Sequence, residues 1–255
     1  MAAKSFTLNN VDPSRAGVRM LIVPHAGAGS ASSISFRDSA PSQWLVATAR
    51  LPGRESRVRE QVTGLSALTT DVATTIRALP GRAPLIVVGV CSGAIIGFEA
   101  IREIQQESPG LVSGLVVVSQ AACDPTDGEC TSPDGEEDDS DVLESLRKLG
   151  GIPDILSEDE EIFKLMLSAI SIDIRAVKNY RPRDLPLLSC PILSISGDND
   201  ELCPPAAVAG WSKFSERSRH VRVSGGHMLL TDNADALIGA LVENLDHFRK
   251  PTPGT

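Results

Sequence analysis

Short apolar runs rich in β-branched residues recur along the chain and predict buried strands. They lie at 18–24 (VRMLIVP), 44–50 (WLVATAR), 85–90 (LIVVGV), 114–119 (GLVVVS), 191–196 (PILSIS) and 219–223 (RHVRV). Between several of them the apolar positions switch to helical spacing. One helix is predicted from Leu65 to Leu79, stopping at Pro80-Gly81, and another starts at Ala94-Ile95-Ile96. A final helix is predicted over roughly 233–249. Strands alternating with helices imply an α/β protein with a mostly parallel central sheet flanked by helices on both faces.

The alternation breaks after 119. From Asp124 to Asp141 the chain carries nine acidic residues and no basic one, interspersed with Pro125, Gly128, Pro133 and Gly135. Such a run reads as a solvated loop. Helical segments are predicted next at 141–149, 158–170 and 171–179, with Ile162, Leu165, Met166, Ala169 and Ile170 at helical spacing. A helical block inserted into a strand–helix alternation predicts a lid, which would shield an intermediate from water.

The 255 residues suffice for one domain, or a domain with a subdomain. A net charge of -9 argues against nucleic-acid binding. No apolar run is long enough to span a bilayer, so no membrane partner is expected. The start, MAAKSFTLNN, lacks the apolar core of a signal peptide. The five cysteines (91, 123, 130, 190 and 203) are odd in number and show no close metal-type pairing. A reduced, cytoplasmic protein is therefore expected, with neither metal nor cofactor.

The candidate chemistry centres on Gly89-Val90-Cys91-Ser92-Gly93. A buried strand precedes it and an apolar helix follows, the context that makes G-x-C-x-G a nucleophile elbow. Two glycines allow the sharp turn and a close helix–strand approach, and the middle residue, Cys91, is presented at the sheet edge. An earlier loop, His25-Ala26-Gly27-Ala28-Gly29-Ser30, also follows a strand. It lacks the Lys-Ser/Thr and the glycine spacing of phosphate-binding loops, which leaves an oxyanion loop or a plain surface turn. In the first case the oxyanion amides would be those of Ala26 and Ser92.

Two further loops follow late strands and carry Asp200 and His227. In an open parallel sheet such loops crowd one edge. Nucleophile, acid, histidine is the chain order of α/β-hydrolases, so Cys91, Asp200 and His227 are the candidate triad. Asp198 is the rival acid, set aside because the loop has turned further from the strand at Asp200. His25 is expected to shape its own loop, His220 and His247 to lie at the surface, and Cys190 and Cys203 to pack in or near the sheet.

Beyond these residues, the chain resembles a type II thioesterase, the free-standing editing enzyme of polyketide and nonribosomal peptide assembly lines. The matching pieces are PHAGAGSAS (24–32), LPGRESR (51–57), GVCSGAIIGFE (89–99), LRKLGGIPD (146–154), DIRAVKNYRP (173–182), PILSISGDND (191–200) and SGGHMLL (224–230). The resemblance implies an α/β-hydrolase fold with a core of 1–121 and 186–255 and a helical lid insertion at 122–185. It implies action on acyl groups thioesterified to the phosphopantetheine arm of an acyl- or peptidyl-carrier protein. Its triad would fall on Cys91, Asp200 and His227, and its oxyanion amides on Ala26 and Ser92. The chain departs from the family pattern in three places. Cysteine stands where serine is usual, the early loop reads HAGAG rather than HAGG, and the acidic segment looks inserted.

The cysteine bears on the reaction. A thiolate attacking a thioester exchanges one thioester for another, so the acyl-enzyme would stay activated toward water, an amine or an internal nucleophile. Two other functions are weighed against carrier-protein thioester cleavage. One is a lactone hydrolase of the dienelactone-hydrolase type, which also carries a cysteine elbow. The other is a non-catalytic acyl-binding or carrier-protein-docking module.

Overall fold

A computed structural model describes residues 5–123, 169–177, 180–182 and 187–249. The predicted helices at 141–149 and most of 158–170, and the acidic run 124–141, lie outside these residues, as do most of the expected lid and its second boundary with the core, at 185/186.

Among the described residues, seven strands form one sheet in the order β1-β3-β2-β4-β5-β6-β7. They are β1 (Phe6–Leu8), β2 (Val18–Val23), β3 (Trp44–Ala49), β4 (Leu85–Val90), β5 (Gly114–Val118), β6 (Ile192–Gly197) and β7 (Ser218–Val223). Strands β2 to β7 run parallel, and β1 alone is antiparallel, pairing with β3 at one edge. The six predicted strands are all present within a residue or two at their ends. β1 was not predicted, since three residues give no alternation to read.

Both sheet faces are buried, and the residues divide by the two-residue period of a strand. Leu21, Val23, Leu85, Val87, Leu115 and Val117 join one apolar cluster, with α2 (Leu65–Ala78) and α3 (Ser92–Glu107). Met20, Ile22, Ile86, Val88, Val116 and Val118 join the other, with α1 (Ile34–Ser39) and the helix Ala234–Glu243. Burial on both faces explains why the central strands read as unbroken apolar runs. The predicted C-terminal helix is interrupted. It ends at Glu243, Asn244 breaks it, and a 3-10 turn continues over Leu245–Phe248.

Parallel strands bring their C-terminal ends to one edge. His25 lies just past β2, Cys91 past β4, Asp200 past β6 and His227 past β7. The register pairs Val90 with Val118 and Gly197 with Val223, so these ends lie side by side.

Candidate active site

The turn after β4 is strained. Cys91 has φ 50 and ψ -126, and only two other non-glycine residues, Glu55 and Ser119, have positive φ among the described residues. Left-handed backbone at a non-glycine residue costs on the order of 1–3 kcal/mol and persists where the surroundings impose it. The surroundings here are two close backbone approaches. A Cβ on Gly89 would lie 2.4 Å from Ala94 Cα, and one on Gly93 would lie 2.2 Å from the Val23 carbonyl oxygen. Two hydrogen bonds hold the turn: Cys91 N–H donates to the Val118 carbonyl (2.9 Å) and Ala94 N–H to the Cys91 carbonyl (2.8 Å). Cys91 is left partly exposed at the start of α3.

Asp200 and His227 are brought together by a third close approach. A Cβ on Gly197 would meet the Gly225 and Gly226 carbonyls at 2.4 Å. Asn199 N–H donates to the Gly225 carbonyl, and Gly225 N–H donates to Asp198 Oδ1, both at 2.9 Å. The two loops are thereby stapled, and Asp198 serves the staple. Asp200 meets the imidazole, with His227 Nδ1 lying 3.0 Å from Oδ2 and 3.1 Å from Oδ1. Asp200 Oδ1 also accepts the backbone N–H groups of Leu202 (3.1 Å) and Cys203 (2.9 Å). Burial disfavours the charged carboxylate, but the hydrogen bond from His227 and these amides outweigh it and hold Asp200 below its ordinary range. For His227, burial opposes the imidazolium. Asp200, then the thiols of Cys203 and Cys91 lying against the ring, outweigh burial and raise its affinity for a proton.

The loop His25–Ser30 is clamped at two points by the Pro52-Gly53-Arg54-Glu55 turn. Arg54 forms a two-pronged ion pair with Asp173, Nη1 to Oδ2 and Nη2 to Oδ1 both at 2.7 Å, and also donates to the Ala28 carbonyl (3.2 Å). Asp173 Oδ2 accepts the Gly27 N–H at 2.9 Å. Glu55 Oε1 accepts both the backbone N–H and the hydroxyl of Ser30 at 2.8 Å, while Arg50 Nε lies 3.2 Å from Glu55 Oε2. Asp173 belongs to the helical residues 169–177, which also cover the loop through Ile170 and Ile174 packed on Ala26. Gly27 is obligatory under this cover, because a Cβ there would lie 2.1 Å from Ile170 Cγ1. Among the described residues, the Ala26 and Ser92 backbone N–H groups donate to no protein acceptor.

His25 lies close enough to His227 and Arg54 for both charges to act on its ring. Burial, then repulsion from His227 and Arg54, push its pKa down to about 4, and its buried Nδ1 has no hydrogen-bond partner among the described residues. His220 and His247 are half-buried rather than fully at the surface. The first lies against Ser194 and Ser196, and the second lies 3.1 Å from the Ile192 carbonyl. Cys190 and Cys203 are buried, as expected. No local signal in the sequence places Cys203 beside His227, or has Arg54, Glu55 and Asp173 fix the early loop. The motif pieces PGRE and DIRA marked those last three residues but not their contacts.

Residues 19–245 match the family model of the thioesterase domain. Among curated relatives, the chain is 28% identical over 245 residues to the gramicidin S biosynthesis protein GrsT of Aneurinibacillus migulanus, covering 95% of this chain and 94% of that one. It is 26% identical over 233 residues to the thioesterase PikA5 of Streptomyces venezuelae, covering 89% of this chain and 81% of that one. Among solved structures it resembles the type II thioesterase BorB from the borrelidin biosynthetic cluster, with 26% identity and a TM-score of 0.77. That match covers 95% of this chain and 97% of BorB. The structure of YbtT, a type II thioesterase from the yersiniabactin pathway, shares the fold with a TM-score of 0.82 at 20% identity, covering 95% of this chain and 99% of that one. An elbow at the end of β4, an aspartate and a histidine on the neighbouring strand ends, and a family match across nearly the whole sheet agree: the chain belongs to the thioesterase domain family.

Proposed function

We propose that the protein is a type II thioesterase that releases acyl groups from the phosphopantetheine arm of an acyl- or peptidyl-carrier protein through a Cys91 acyl-enzyme. The observation that carries this reading is the strained Cys91 turn set against the His227–Asp200 pair. The names of GrsT, PikA5 and BorB support the pathway context.

The proposed mechanism uses the groups of this site. Asp200 holds Nδ1 of His227, which leaves Nε2 for the Cys91 thiol. The raised basicity of His227 favours movement of the thiol proton onto the imidazole. The thiolate attacks the thioester carbonyl, and the Ala26 and Ser92 amides receive the oxyanion. Collapse expels the pantetheine thiolate, which takes the proton from His227. His227 then activates the acceptor that attacks the Cys91 acyl-enzyme. Because that intermediate is itself a thioester, an amine or an internal nucleophile can compete with water for it.

The test is turnover of a carrier protein loaded with an acyl-phosphopantetheine, followed by product analysis. Release of free acid, or of an amide or ring product, by the wild type and not by Cys91→Ala supports the reading. Opening of lactones with no thioester turnover favours the dienelactone-hydrolase alternative. Tight carrier-protein binding without turnover favours a docking module.

A further inference from the structure

We infer that Asp200, Cys203 and His227 together form a site for one thiophilic divalent cation, of which Zn2+ is the best chemical match, and that its occupancy switches off the base function of His227.

The three side chains offer a carboxylate oxygen, a thiol sulfur and an imidazole nitrogen, all within 4.8 Å of one another and all buried. This donor set suits zinc, which binds nitrogen and oxygen at about 2.0–2.2 Å and sulfur at about 2.3 Å. In such a shell the donor atoms lie roughly 3.3–3.8 Å apart. His227 Nδ1 and Asp200 Oδ2 are already at 3.0 Å, so they need to open by only a few tenths of an ångström. The sulfur is held on the same short turn, since Cys203 N–H donates to Asp200 Oδ1 and Cys203 packs with Ala121 and Val208. The donors therefore come from two stapled loops at the sheet rim, where His227 and Cys203 each keep 9% exposure. Neither the elbow nor the oxyanion loop supplies a ligand.

Binding changes the histidine in a defined way. The cation takes the Nδ1 lone pair, so the ring's proton sits on Nε2, and the Cys203 thiol proton leaves to solvent. An imidazole carrying a proton on Nε2 cannot accept one from Cys91. Asp200 is drawn from orienting the ring to coordinating the cation. The switch concerns the reading given above, but the site itself does not depend on it, and binding is measurable without turnover.

The experiment titrates the full metal-free chain with Zn2+ by equilibrium dialysis, and with Co2+ as a spectroscopic probe. One equivalent should bind, with the near-ultraviolet charge-transfer absorption of a thiolate–cobalt bond. Activity toward an acyl-pantetheine thioester should fall in step with occupancy and return on chelation. Cys91→Ala should bind the cation as the wild type does. Cys203→Ala and Cys203→Ser, each checked for native circular dichroism, should bind about 100-fold more weakly or worse and lose the absorption band. Their inhibition is read against each variant's own metal-free rate. Unchanged binding in both Cys203 variants, loss of binding in Cys91→Ala, or no binding at micromolar metal would each overturn the inference. Stoichiometric binding without thioester turnover would keep the site and reject the thioesterase reading instead.

Discussion

Arg54 and Asp173, 119 positions apart in the chain, meet as a buried two-pronged ion pair whose carboxylate also holds the Gly27 N–H. The pair ties the helical residues 169–177 to the loop that carries Ala26. Asp173 is fully buried and Arg54 nearly so, and breaking such a pair by removing one partner costs about 3–5 kcal/mol. Asp173→Asn and Arg54→Met are therefore expected to destabilise the fold by that amount in urea unfolding. If the Ala26 amide receives the oxyanion, the same variants lower kcat by roughly 10²-fold with a smaller change in KM. Arg54→Lys keeps the charge but loses the fork, and should fall between them.

The elbow predicts a steric result independent of chemistry. Gly93→Ala would drive a methyl into the Val23 and Pro24 carbonyl oxygens, at 2.2 and 2.5 Å, and both are backbone atoms. The expected cost is about 3 kcal/mol, together with loss of acylation, because the turn must open to admit the methyl. Gly226→Ala is the control. A Cβ there meets nothing within 4 Å, and its unfolding midpoint should stay near the wild-type value.

Sequence pattern revealed six of the strands in their order along the chain and the loops that bear Cys91, Asp200 and His227, because both depend on local signals. Apolar runs mark the parallel strands, and a turn motif or loop follows each. The Arg54–Asp173 pair depends on a contact between distant segments, and no local period encodes it. Cys203 was legible only as a buried cysteine. Its place beside His227 follows from the turn that Asp200 Oδ1 organises. The edge strand β1 was missed because it takes its register from β3 rather than from any pattern of its own.

His25 makes the protein acid-sensitive in a particular window. Its folded-state pKa is pushed down from 6.5 to about 4, so between those values the unfolded chain binds the extra proton. Stability should therefore be intact above pH 6.5 and fall as the pH drops toward 4, by up to about 3 kcal/mol from this residue. Urea midpoints at pH 7 and pH 4.5, compared between wild type and His25→Gln, isolate the contribution. The variant should show a shallower decline.

Asp200→Asn leaves the shape of the loop but removes the charge that orients and stabilises the His227 imidazolium. A loss in kcat on the order of 10³-fold is expected, larger than for Asp198→Asn, whose carboxylate braces Gly225. Steady-state kinetics of the two variants on one acyl-pantetheine substrate make the comparison.

The most direct measurement is intact mass. The protein is mixed with an acyl-pantetheine thioester and quenched in acid, and the adduct is located by peptide mapping. The account predicts a mass increase equal to the acyl group on the peptide containing Cys91, absent in Cys91→Ala. Thioester turnover with no adduct on Cys91, or turnover that survives in Cys91→Ala, would contradict it.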